Sequence, residues 1–281
     1  MPWQQLDIER ATALVDARKQ LHHAAQFASA VGISYLPPQP DDSHTNLEWM
    51  ASLGALASRP TTTGVPFRLA VRAAKPALLL VDERNELRAS CSLHGHTIDD
   101  VMRWTRVMLA DFEIDVRRYT LEKHFIIPPH PVVSGAPFNA AESADFEELS
   151  RWYGNAAALL QRVAAATPGA SEVRCWPHHF DIATLIEVSR AAGRAPARTV
   201  GIGLEPGDQY YAEPYFYLNM HPAPRAGVAL PALSGGGDWH THEWIGAVLP
   251  ASRLTAPDQR AQVDAFVGSA LTACRQIVLA G

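Results

Sequence analysis

Apolar residues return every three or four positions over long stretches of this chain and every second position over short ones. Leu14, Ala17, Leu21, Ala24, Ala25 and Ala28 follow the helical period, which predicts a helix over residues 7–29 with Gly32 as its stop. A short strand, 33–36, follows and is broken by Pro37, Pro38 and Pro40. Residues 44–49 alternate, with His44, Asn46 and Glu48 on one side and Thr45, Leu47 and Trp49 on the other. Strands are expected at 67–71, 77–82 and 87–93, the last two joined by a turn at 83–86. Thr97 is placed to cap a helix over 98–111, with Asp99 and Asp100 in its first turn. A strand at 120–127 ends in Pro128, Pro129 and Pro131.

The pattern then starts again. A helix is predicted over 143–166, with Pro168 and Gly169 as its stop. Strands follow at 172–176, 180–188, 199–204, 214–220 and 239–249, and a last helix runs over 258–278. These elements predict the α+β class, with antiparallel sheets and long flanking helices. The expected organisation is an N-terminal α+β half, 1–130, a Pro/Gly linker, 131–142, and a C-terminal α+β half, 143–281, that carries the His-rich strands. Both halves read helix, strands, helix. That fits an internal duplication, or the general likeness of α+β halves.

Composition narrows the class. The 281 residues are 47% hydrophobic and 19% charged, as in an ordinary globular chain. Net charge is −5 with no basic tract, so no nucleic-acid partner is expected. No leader-like apolar segment opens the chain, and its longest apolar runs are too short to span a bilayer; neither membrane association nor secretion is expected. Three widely spaced cysteines, Cys91, Cys175 and Cys274, without a CxxC, fit reduced thiols and a cytoplasmic location.

Candidate chemistry concentrates in two runs, Trp176-Pro177-His178-His179-Phe180-Asp181 and Asp238-Trp239-His240-Thr241-His242-Glu243-Trp244. Such side chains are costly to bury unless paired, hydrogen-bonded or ligated. On a regular strand His240 and His242 share a face, the spacing by which two imidazoles converge on a metal; Gly235-Gly236-Gly237 precedes them. A hydrogen-bonded pair flanked by packing tryptophans is the blander alternative. His179 and Asp181 likewise share a strand face, where the carboxylate can orient the imidazole.

On 213–221, Glu213, Tyr215, Tyr217, Asn219 and His221 face one way, and Pro214, Phe216, Leu218 and Met220 face the core. The tyrosine face suits a lined cavity or a solvent-exposed edge. Catalytic candidates are therefore His179, Asp181 and Glu213; ligand-binding candidates are His44, Tyr215, Tyr217 and Trp239; metal candidates are His240 and His242. No GxGxxG, P-loop, GxSxG or HExxH occurs, and Gly201-Ile202-Gly203 lacks a third glycine, so no nucleotide cofactor is expected.

Three short motifs also carry a resemblance: His44 after the first helix, Phe180-Asp181, and Glu213-Pro214-Tyr215-Phe216-Tyr217. In order and length over most of the chain, they resemble an uncharacterised bacterial family, a domain of unknown function. The extra histidines here depart from that pattern. The resemblance implies a shared fold and supplies no reaction. The site chemistry leads to an expected metal-dependent enzyme acting on a small polar molecule, with zinc, iron, nickel or copper held by imidazole. The alternatives are a non-catalytic small-molecule-binding protein and a structural protein whose polar groups satisfy one another.

Overall fold

The computed structural model describes residues 2–61, 65–190, 197–225 and 227–280. Its helices are α1 (Val15–Tyr35), α2 (Ile98–Asp111), α3 (Ser143–Ala166) and α4 (Gln259–Ala280). Its strands are β1 (Glu48–Met50), β2 (Ala55–Ala57), β3 (Phe67–Arg72), β4 (Ala77–Asp82), β5 (Leu87–Ser92), β6 (Arg174–Cys175), β7 (Ile182–Ser189), β8 (Arg198–Glu205), β9 (Tyr215–His221), β10 (Asp238–His240) and β11 (Gly246–Pro250). The class is α+β, with antiparallel sheets, as the periodicity predicts.

The chain divides into two compact units, and not at the Pro/Gly stretch. The first comprises Ala13–Ser150 and Arg174–Phe180; the second comprises Met1–Thr12, Arg151–Val173 and Asp181–Gly281. Residues 131–142 therefore lie inside the first unit.

In the first unit, five strands form a meander in the order β1-β2-β3-β4-β5. Strand β4 is buried along its whole length because Leu78, Leu79, Leu80 and Val81 give it two apolar faces. Helix α1 packs on β3 and is buried nearly throughout. It runs past Gly32 to Tyr35, through the segment expected as a strand. Gly32 does not stop the helix; it admits the 43–45 turn, since a Cβ there would lie 2.1 Å from the His44 carbonyl oxygen. The helix ends at Leu36, which turns extended (φ −101°, ψ 152°) because Pro37 disfavours helical backbone before it. Helix α2 is capped by Thr97, as its sequence predicts, and Asp100 closes a capping box with it. The strand expected at 120–127 is irregular chain.

In the second unit the strand order runs β10-β11-β9-β8-β7. Phe216, Leu218, Val200, Ile202, Leu204, Ala247 and Leu249 form its buried face. The Phe216 ring meets Trp152 of α3 at 6.0 Å. Arg198, on the same face, donates to the Val278 carbonyl of α4. Helix α4 is long and apolar enough to cross a membrane by length and composition; here it packs on β8, β9 and β11, burying Val263, Phe266, Ala270 and Cys274. The two units order their parts differently: α1 precedes its sheet, and α4 follows its own.

Candidate functional site

The second face of the β7–β11 sheet is polar, and alternation puts it there. Gly201, Gly203 and Glu205 of β8 pair with Asn219, Tyr217 and Tyr215 of β9. Tyr217 and Tyr215 pair in turn with Val248 and Pro250 of β11, and His240 of β10 pairs with Gly246. Residues paired across strands share a face. His240, Tyr217, Tyr215 and Glu205 are therefore on one surface.

Glycine makes room on this surface. A Cβ on Gly203 would lie 2.8 Å from the Tyr217 ring and 2.7 Å from the Ile182 carbonyl oxygen. Its absence lets the Tyr217 ring lie across β8, where its hydroxyl donates to Asp181 Oδ2 at 2.5 Å. Gly246 does the same for Trp244, whose ring would stand 2.3 Å from a Cβ there. Trp244 then stacks on His240 at 4.4 Å.

The loop before β9 supplies the rest. Gly207 takes φ +113°, and the Asp208 carboxylate then accepts the backbone N–H groups of Tyr210 and Tyr211 at 2.8 and 2.9 Å through Oδ1. Asp208 Oδ2 accepts the Tyr215 hydroxyl at 2.8 Å. The turn presents Tyr211 to His240 Nδ1 at 3.0 Å and Tyr210 to Glu243 Oε2 at 2.7 Å. His240 Nε2 lies 2.6 Å from the His242 carbonyl. A carbonyl only accepts, so in neutral His240 the proton sits on Nε2 and Nδ1 takes the Tyr211 hydrogen.

Burial raises the Tyr217 phenol well above its ordinary pKa, and the Asp181 charge adds to the shift. Tyr215 is raised by burial, with Glu205 and Asp208 adding. Tyr211 is raised chiefly by burial, and Tyr210 by its bond to Glu243. All four phenols thus stay protonated near neutral pH and act as hydrogen-bond donors.

Several expected residues belong elsewhere. The strand expected at 239–249 is a hairpin, β10 and β11, with His242 in the exposed turn between them. His240 and His242 are not alternate residues of one strand, and both His240 nitrogens already have partners. Among the described residues no group of three His, Cys, Asp or Glu side chains is placed to hold a metal. Glu213 is committed to Ser252, accepting its N–H at 2.6 Å and its hydroxyl at 2.7 Å. It steadies the 251–253 turn rather than facing a reactant. Trp239 donates from Nε1 to the Pro231 carbonyl at 2.7 Å, which pins the preceding loop.

His44 and His179 fall in the first unit, whereas Asp181 begins a segment of the second. His178 and His179 occupy a turn, and His179 is exposed, so the strand alternation expected to pair it with Asp181 does not apply. His44 sits in the 43–45 turn, accepts the Gln39 N–H on Nδ1 at 3.2 Å, and lines an open cavity of about 390 Å³ with Leu36, Ser43 and Arg59.

His22, on a buried helix face, also bears on this region. Its Nε2 meets the Pro177 carbonyl at 2.8 Å, and its ring stacks on Phe180 at 4.9 Å with 6° between planes. Phe180 holds φ +72°, so the 176–180 turn is fixed on α1 through a strained residue. Burial drives the His22 pKa down to about 3. Burial and the adjacent His179 drive His178 to about 4. Both are neutral packing histidines.

No protein-family model, curated protein or solved structure matches this chain.

Proposed function

We propose that this protein binds a small polar molecule on the polar face of the β7–β11 sheet, without a metal. One observation carries the reading. Three phenols of a single loop-and-strand segment, Tyr211, Tyr215 and Tyr217, are each tied to a different titratable partner: His240, Asp208 and Asp181. The stacked His240–Trp244 pair beside them is only partly buried. Phenol oxygens whose single proton is given to a second group are held in place as acceptors, and beside an accessible aromatic wall they are pre-organised for a ligand that offers donors and a flat or apolar surface. Pre-organisation lowers the cost of ordering the site on binding.

This is the non-catalytic small-molecule-binding alternative. The metal-dependent alternative joins His240 and His242 with His179, Asp181 or Glu213; the position of His240 at the end of β10 and of His242 in the turn after it favours the metal-free reading. The three free cysteines fit a reducing, cytoplasmic setting.

A thermal-shift screen of polar metabolites against wild type and Tyr211→Phe tests the proposal. A ligand at about 100 times its Kd stabilises by about 2.7 kcal/mol. The expected result is a hit whose shift falls by more than half in Tyr211→Phe. Hits that stabilise both proteins equally would remove this face from consideration.

A further inference from the structure

A cavity of the second unit is a separate place from the polar face. It has a volume of about 470 Å³ and lies between the segment after β9 and the last turn of α4. The sequence explains why space is left there. Pro222 and Pro224 lack the N–H groups that would extend β9, so the chain leaves the sheet. It passes Ile277, Val278 and Ala280 of α4, and among the described residues the small Ala223 and Gly227 line that passage.

The described lining has one kind of charge. Among the described lining residues, Pro222, Ala223, Pro224, Gly227, Val228, Ile277, Val278 and Ala280 make the walls apolar, and the other two are Arg198 and Arg225. No acidic residue is among the described lining. Arg198 donates one N–H to the Val278 carbonyl, which satisfies an open carbonyl at the end of α4 and fixes the guanidinium at the cavity wall. That single bond leaves further donors on a planar fork. Arg225 makes no ion pair with a described carboxylate. Two guanidinium groups on an otherwise apolar cavity complement a ligand with an anionic head and a hydrocarbon body. Guanidinium matches a carboxylate in two-point geometry.

We propose that this cavity binds a small aliphatic monocarboxylate, held by Arg198 and Arg225 at the head and by Val228, Ile277 and Val278 along the body. The volume is within the range of small-molecule sites.

The test titrates sodium octanoate into the full-length protein, with octan-1-ol as the uncharged control. Isothermal calorimetry gives affinity, and methyl NMR of Ile277 locates binding. Saturable octanoate binding is expected, with the Ile277 methyl shifting in step. Arg225→Ala lies on an exposed loop and keeps the fold testable where Arg198→Gln does not. It should weaken octanoate at least about fivefold through loss of a charge-assisted contact. Octanol should bind more weakly than octanoate to wild type. No saturation up to millimolar octanoate, a smaller change in Arg225→Ala, or equal affinity for octanol overturns the proposal.

Discussion

Tyr217 reaches Asp181 across an entire strand: the donor is on β9, the acceptor precedes β7, and β8 lies between them. The contact exists because β8 carries glycine at 203, directly paired with Tyr217. Gly203→Ala should therefore displace the ring and break the bond. Strain against both the ring and the Ile182 carbonyl should cost about 1–3 kcal/mol of stability. Denaturant unfolding gives the loss. A loss no larger than that of an exposed alanine substitution would show that Tyr217 does not lie across β8.

Phe216 tests the opposite face. It is 1% exposed and packs on Trp152. Phe216→Ala should destabilise by roughly 3–5 kcal/mol, from lost transfer energy and the cavity left behind. A loss under about half a kcal/mol would invert the assignment of the two faces.

Two helical glycines should respond with opposite signs. Gly32→Ala forces a Cβ into the His44 carbonyl and the Thr45 backbone, neither of which can swing aside. Gly268, on the exposed side of α4, has nothing within 4 Å of a Cβ. Gly32→Ala should lose at least about 1 kcal/mol despite its better helix propensity, and Gly268→Ala should gain up to about 1 kcal/mol. Melting temperatures of the pair decide this; equal shifts would contradict the close seating of the 43–45 turn on α1.

Acid sensitivity should follow from His22. Its folded pKa is about 3, below the ordinary 6.5. The unfolded chain takes up the proton first, so this contribution to stability is complete above 6.5 and is lost as pH falls toward the folded value. By linkage the loss from this one residue is about 2 kcal/mol between pH 7.5 and 5. His178, shifted to about 4, adds in the same direction. Urea midpoints measured across this window should fall, and less steeply in His22→Gln, whose amide can still donate to the Pro177 carbonyl. Equal slopes in the two proteins would show that His22 is not the buried proton sink.

The long elements were legible because their periodicity is strong. The helices at 98–111 and 143–166 lie where the pattern puts them. The alternation of Tyr215, Phe216, Tyr217 and Leu218 also sorts those residues onto the correct faces. What failed was local geometry that alternation does not encode. The run from Trp239 to Leu249 reads as one strand, but Glu243 takes φ +68° and the chain folds back. Phe180 similarly takes φ +72° and ends a turn rather than opening a strand. Positive φ is rare outside glycine, so neither turn has a composition signature. The Gly201-Ile202-Gly203 alternation is visible in the sequence, where it lacks the third glycine of a nucleotide site. Its meaning, clearance for Tyr217 and Asn219, needs the register of the neighbouring strand. His22 sits in a helix that buries polar residues throughout its length, where periodicity gives no reason to single it out.

The most direct test of a ligand site on the polar face is calorimetric titration of a screening hit into wild type and Tyr217→Phe. That substitution removes one hydroxyl from the Asp181 contact and leaves the ring in place over Gly203. The account predicts a folded variant whose affinity falls at least about tenfold, because the ligand loses the Tyr217 oxygen as an acceptor, about the scale of one hydrogen bond. An unchanged affinity in a folded Tyr217→Phe protein would contradict it and leave the tyrosine–carboxylate network as structure alone.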